Sequence, residues 1–522
     1  MVRARLEIGK LQRQLWQRQK RLIARSVLEA GAPFRAYEAS YLRRVRGFTR
    51  EASYAELLAQ VGQAGIAYVG DYHTLKQSQR SFLKLVQRRS YKRPLLLALE
   101  FVQGRHQAAV DAYLAGQLPE ERFLRAIEYG RHAVFETWPH FKPIFDEARA
   151  RKLPIVAIDL LGESLAARDE YAARRIAQAA RRASDDAQIF VLAGQLHVAP
   201  PHLPSAVSRR APDLKPLVVY QNCERIWWSL QRDNRELEVE ACLVRAGEYC
   251  LINTPPVVVQ QSYLDWIEGG VEPLDDTHLE ARFRFLAHTI ARFLGLETRA
   301  FREALSHVSV YTAGDLSFLD TLPVSARERR QIEQQILSRE SYYIPRARIA
   351  YLANLSVNHA AEEAAHFVRN VVSLAGDEPR GLVDAFYARA LEEAYAFCGS
   401  KIVNPRRKCP HEVEFERMLR GGDAFTRRVA RYVLAHRAVE TGGRTRGAHR
   451  LSKAGPALFN AVTHSLGYML GERLYYGLAT GVCSKSYVRE LFVNPLEEEG
   501  EAFAMYMMLS RRLAGVRIPK RV

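Results

Sequence analysis

From about residue 50 to residue 260, short apolar runs alternate with stretches of helical period. The runs predict strands at 66–70, 95–100, 154–159, 188–193 and 217–221. The stretches between them predict amphipathic helices at 53–62, 76–90, 105–115, 119–129, 139–151 and 167–183. Strands separated by helices form parallel sheets, because each crossover helix returns the chain to the same edge. Two further runs, 239–244 and 249–252, flank a short loop containing Gly247. That is a hairpin signal, and it predicts an antiparallel edge on the sheet.

Beyond about residue 275 the period becomes helical. One apolar face is marked by Leu279, Phe283, Leu286, Ile290, Phe293 and Leu294. A second is marked by Ile349, Leu352, Ala360, Ala364, Phe367 and Val371, and a third by Leu458, Val462, Leu466, Met469 and Leu470. Residues 5–30 read as a basic amphipathic helix, built to pack on the next domain or to meet a membrane surface or partner. The expected fold is therefore α/β, a mostly parallel sheet with flanking helices, followed by a separate α-helical domain. The expected division is 1–48, 49–262 and 275–522. The stretches 404–410 and 441–447 read as exposed loops.

The strand ends carry the candidate chemistry. The first run leads into Gly70-Asp71-Tyr72-His73, and the fourth into Gly194-Gln195-Leu196-His197. The second ends on Glu100. In open α/β sheets ligands bind where strand ends converge. Imidazole and carboxylate together hold metal ions or transfer protons. Asp71, His73, Glu100 and His197 are thus predicted to meet at one edge. There they would bind a divalent metal, or His73, Glu100 and His197 would act as a metal-free acid–base set. The plain alternative makes both histidines turn residues bonded to backbone carbonyls. Glu100 follows five apolar residues, so its charge is costly unless a cation accompanies it.

These motifs resemble the ChaN-like haem-binding family, of the superfamily that includes the Tiki proteases, the TraB proteins and the erythromycin esterases. Paired Gly-x-x-His motifs and a glutamate are its hallmark. Further stretches are similar: Ala98-Leu99-Glu100-Phe101, the segment 107–116, Trp138 with Pro143-Ile144-Phe145, and the segment 153–159. The resemblance covers roughly 50–260. The family's first motif usually holds Glu where this chain has Asp71. The resemblance implies haem binding for iron acquisition or handling, as a homodimer sandwiching the cofactor. Its Tiki and esterase branches imply instead a hydrolase acting through a metal or through His and Glu. Tyr72, His106 and His140 are open as axial ligands to haem iron. A third class is an interaction scaffold on the Arg-rich helical half.

Composition narrows the setting. The 522 residues are 48% hydrophobic and 26% charged, as in a globular protein of two or more domains. A net charge of +18 comes mostly from arginines spread along the chain, which read as solvated faces, and no nucleic-acid signature accompanies them. No apolar run is long enough to span a membrane. Many ChaN-like proteins carry a signal with a lipidated cysteine. Here the first cysteine is Cys223 and no signal core follows Met1, so the expected compartment is the cytoplasm. Cys223, Cys242, Cys250, Cys398, Cys409 and Cys483 are expected to be reduced. His359, Glu363 and His366 share one side of a helix with the Glu-x-x-His spacing of metal-binding bundles, although no second copy exists. The aromatic pairs Trp227-Trp228, Tyr342-Tyr343 and Tyr475-Tyr476 are read as core, or as stacking surfaces for a porphyrin. A Gly-x-Ser-x-Gly elbow, a phosphate-binding loop and a His-Glu-x-x-His motif are all lacking.

Overall fold

The computed structural model describes residues 3–26, 31–88, 93–129, 137–271, 276–337, 340–374, 380–442 and 455–519. Residues 27–30 and 89–90 of the expected helices, and 443–447 of the expected loop, lie outside these. Internal contacts divide the chain into two compact units, Arg18–Val271 and Met1–Gln17 with Glu272–Pro519.

The first unit is built on an eight-stranded sheet. Its strands are β1 (Arg50–Ala52), β2 (Ile66–Asp71), β3 (Leu95–Gln103), β4 (Ile155–Asp159), β5 (Gln188–Gly194), β6 (Pro216–Gln221), β7 (Ala241–Arg245) and β8 (Glu248–Leu251). Their spatial order is β1-β7-β8-β6-β2-β5-β3-β4. From β8 to β4 every neighbouring pair is parallel, and only β7 runs against the rest. The expected hairpin is β7–β8, and Cys242 stands opposite Cys250 across it with no disulfide between them.

Alternation within each strand explains why the runs are apolar throughout. Ala67, Val69, Leu97, Leu99, Phe190 and Leu192 enter the core on one face of the sheet. Ile66, Tyr68, Leu96, Ala98, Ile189 and Val191 enter the core on the other. Successive side chains point to opposite faces, so a strand covered on both sides shows no polar alternation. The short edge strand β1 and the helix Ala32–Arg44 are additions that the apolar pattern did not predict.

The second unit is helical, with one correction. Three short strands, β9 (Ser309–Thr312), β10 (Tyr342–Ile344) and β11 (Ile349–Leu352), form a small sheet in the order β10-β11-β9. Ile349 and Leu352 had been expected on a helix face, because their spacing of three matches a helical turn. Instead Ile349, Ala350, Tyr351 and Leu352 are all buried, which is the signature of a short strand covered on both faces.

Helices Val357–Ser373, Leu382–Val403 and Pro456–Thr480 make the centre of this unit. The last two approach closely through Gly467 and Gly471. A Cβ on Gly467 would lie 2.4 Å from Cβ of Glu393, and one on Gly471 would lie 2.3 Å from the carbonyl oxygen of Ala394. Only glycine permits this contact. Among the described residues, no helix is long and apolar enough to cross a membrane.

Candidate functional site

The carboxyl ends of β2, β5, β3 and β4 lie side by side. Asp71 pairs in register with Gly194. β3 stays paired with β5 as far as Leu99, opposite Leu192, and its register with β4 shifts between Leu99 and Gln103. Such an irregularity re-aims side chains beside a site, and Glu100 is the first residue beyond Leu99.

Asp71, His73, Glu100 and His197 are brought together there. Asp71 Oδ2 accepts from Nδ1 of His73 at 2.8 Å, and its Oδ1 accepts from Gln79 at 2.6 Å. The bond at Nδ1 turns Nε2 of His73 away from Asp71. A Cβ on Gly194 would stand 3.4 Å from that Nε2, 3.4 Å from Glu100 Oε2 and 3.5 Å from Cδ2 of His197. The missing methyl of Gly194 is thus the space on which these three residues face. Gly70 has a separate role. A Cβ there would meet Oε1 of Gln195 at 1.8 Å, and the Gln195 amide bonds to the carbonyl of Gln221 at 2.8 Å.

Glu100 is accompanied by a cation that the sequence reading did not name. Arg168, in the first turn of helix Leu165–Arg182, donates to Glu100 Oε1 at 2.5 Å and to Asp159 Oδ1 at 2.8 Å. The backbone N–H of Gly194 donates to the other Glu100 oxygen. His197 Nε2 lies 3.4 Å from Glu100 Oε1, and its Nδ1 lies 2.7 Å from Asp169 Oδ1. The Tyr37 hydroxyl donates to the second oxygen of Asp169 at 2.7 Å. Tyr37 also stacks on His202, ring centroids 3.6 Å apart. Arg168, Asp169 and Tyr37 were not predicted. Arg168 and Asp169 sit among other charged residues of an amphipathic helix, and Tyr37 lies in the expected N-terminal helical segment 1–48, beyond the helix read over 5–30.

The charges are mutually supporting. Burial opposes charge on Glu100, but His197, His73 and Arg168 outweigh it and hold the carboxyl well below its usual range. Burial also opposes charge on His73, yet the Asp71 bond and the Glu100 field raise it to about 9. His197 is raised as well, with burial overcome by Glu100 and Asp169. Asp71 moves the other way from Glu100, because burial pushes its carboxyl up against the pull of His73. At neutral pH the site therefore holds a protonated His73 beside an ionised Glu100, and Glu100 and Asp169 favour the protonated form of His197.

A cleft of about 480 Å³ opens over this edge, within the range of about 300–1,000 Å³ typical of small-molecule sites. Phe34, Leu42, Leu196 and Val259 give it apolar walls, and Arg225 adds an exposed cation. These features suit haem, whose macrocycle is apolar and whose propionates are anionic. A divalent cation suits the site less well, since Arg168 and the Gly194 N–H already bond both oxygens of Glu100. Among the described residues, the groups of three ligand atoms within 4.8 Å are Cys409, His411, Glu472 and Glu362, His366, Glu393. The strand-end set is not one of them.

Of the three axial candidates, Tyr72 lines the cleft, while His106 and His140 do not. His106 lies against Arg105 and Glu128. His140 is lowered to about 4 by burial and by Lys76 and Arg80. Trp227, Tyr475 and Tyr476 are core residues. Tyr342 and Tyr343 line a cavity in the helical unit, as do His359, Glu363 and His366.

Residues 57–167 match the family described as haem-binding uptake, Tiki superfamily, ChaN. A solved structure described as cofacial heme binding to ChaN of Campylobacter jejuni is 13% identical. That match covers 38% of this chain and 92% of that one, with a TM-score of 0.29. No curated protein matches the chain.

Proposed function

We propose that the α/β unit binds haem in the cleft at the ends of β2, β3 and β5, and serves in haem or iron handling. One observation carries this reading: His73 has its Nδ1 held by Asp71 and its Nε2 facing the space above Gly194. An iron-ligating histidine is ordinarily oriented in this way, by a carboxylate on its other nitrogen. The family match over 57–167 supports the same reading. His73 would meet the iron, Phe34, Leu42 and Val259 would flank the macrocycle, and Arg225 would receive a propionate. Bound haem supplies a Lewis-acidic, redox-active iron. The chain's part is to shed the His73 proton, keep the ring oriented through Asp71, and exclude water with the apolar wall. A homodimer that sandwiches haem belongs to this reading.

A second reading has its own observation. Two carboxylate–imidazole pairs, Asp71–His73 and Asp169–His197, flank Glu100. One imidazole could take a proton from water while the other gives one to a leaving group, as a metal-free hydrolase requires.

Hemin titration of the whole chain separates the readings. The first expects a saturable Soret shift that His73→Ala weakens and alters in position. No shift in the unaltered protein overturns it. Ester or peptide hydrolysis lost in both His73→Ala and His197→Ala, without a Soret shift, supports the second. If all four strand-end residues prove dispensable for both, a scaffold on the helical half is left.

A further inference from the structure

The helical unit holds a second cluster of ionisable groups, independent of the sheet. A cavity of about 240 Å³ is lined by Glu340, His359, Glu362, Glu363, His366, Glu393 and His464, among others. They come from helices Val357–Ser373, Leu382–Val403 and Pro456–Thr480 and from the segment just before β10. Three of them, Glu362, His366 and Glu393, bring one ligand atom each to within 4.8 Å of the others.

Glu362 and Glu363 each leave one carboxylate oxygen unused. Arg407 donates to Oε2 of Glu362 at 2.6 Å, but Oε1 of Glu362 is buried with no hydrogen-bond partner. Arg389 pairs with Oε1 of Glu393 at 2.6 Å. The other Glu393 oxygen accepts from Nδ1 of His464 at 3.0 Å and lies 3.8 Å from Nε2 of His366. Oε2 of Glu363 is also buried without a partner. Glu362 and Glu363 are only 2% and 3% exposed, so water does not readily satisfy these atoms. Two orphaned carboxylate oxygens in one cavity invite a cation, because a buried polar atom without a partner is costly.

We propose that Glu362, His366 and Glu393 bind a divalent first-row transition-metal ion, with Glu363 as a further ligand. The donor set decides the class. One imidazole with carboxylates suits Mn(II), Fe(II) or Zn(II). It disfavours Mg(II), which prefers oxygen alone, and Cu(I), which prefers sulfur. Arg389 and Arg407 each hold one oxygen of Glu393 and Glu362 and fix the orientation of these ligands, as outer-shell partners do. Gly467 makes the arrangement possible, because its bare Cα lets the helix carrying His464 lie against Glu393. His359 and His464 remain partly exposed within the cavity, at 36% and 45% of their side-chain surface, which provides a path for the ion. The cavity volume beside the ligands leaves coordination positions open to a small molecule. The other three-residue group is a poorer site, because Lys401 and His411 bond both oxygens of Glu472 and leave no orphaned carboxylate oxygen there.

The test uses the untagged full chain, stripped with a chelator and titrated with Mn(II), Zn(II) and, under nitrogen, Fe(II). Calorimetry is expected to show saturable binding of one equivalent of at least one ion, and the melting temperature should rise with it. His366→Ala and Glu362→Gln should each weaken binding by more than about 100-fold, beyond the 10–100-fold of an outer-shell change. Circular dichroism of the stripped variants checks their folding. If His366→Ala fails to fold, the nearly isosteric Glu362→Gln carries the comparison. No saturable binding in the unaltered protein overturns the proposal. So does undiminished affinity in the folded variants, or binding that is lost in Cys409→Ser or His73→Ala instead.

Discussion

Nδ1 of His197 stands 2.7 Å from Oδ1 of Asp169, 28 positions earlier in the chain. The carboxylate keeps the proton on that nitrogen and leaves Nε2 toward Glu100. Asp169→Asn preserves size and removes charge. The pH at which His197 titrates is expected to fall, because the Asp169 charge helps to hold it up, read by NMR of the imidazole nitrogens. An unchanged titration would mean that Glu100 alone sustains the raised value.

Glu100→Gln should cost more than Asp71→Asn. The surroundings of Glu100 favour its charge, whereas burial works against the charge of Asp71. Arg168 keeps Asp159 and His197 keeps Asp169, so the loss in urea unfolding should be about 1–3 kcal/mol, short of the 3–5 for a fully orphaned buried charge. Hemin binding should suffer in the same order. A larger loss in Asp71→Asn by both measures would reverse the assignment of the principal carboxylate.

Gly467→Ala sets two effects against each other. Alanine favours a helix by about 1 kcal/mol over glycine. Its methyl, however, would lie 2.4 Å from Glu393 Cβ and 2.6 Å from the Ala390 carbonyl oxygen. Neither neighbour can rotate away, so the clash should dominate. A net loss of about 1–3 kcal/mol is expected, as for other overpacked cores. Unchanged or higher stability by denaturant titration would show that the helices separate freely.

His140 gives the fold a specific acid response. Burial, then Lys76 and Arg80, lowers it from 6.5 to about 4. A histidine with a depressed folded value contributes stability that is full above its unfolded value and is lost as pH falls through the folded one. The melting temperature should therefore drop between about pH 6.5 and pH 4. His140→Gln should flatten that part of the profile. An identical slope in the variant would assign the acid response to other groups.

Much of the sheet is legible because β2, β3, β4 and β5 are continuous apolar runs, and their polar terminations mark the edge where Asp71, His73, Glu100 and His197 gather. The rest depends on partners that carry no local pattern. Arg168 and Asp169 look like any charged pair on an exposed helix face until β4 places that helix over Glu100. Ile349 and Leu352 mislead for a physical reason, since two buried residues three apart fit a helical turn and a short strand equally well. Gly467 and Gly471 are meaningful only against Ala390, Glu393 and Ala394, far off in the sequence.

The order of the strands dictates where this chain can be cut. β2, β3 and β4 fall inside residues 57–167, while β5 comes later in the chain yet lies between β2 and β3. An expression fragment trimmed to that interval would lack the strand that joins its halves, along with Arg168, Asp169, Gly194 and His197. The interval that marks the family is thus not a portable module, and the smallest useful piece must run on past β6, which closes the other flank of β2.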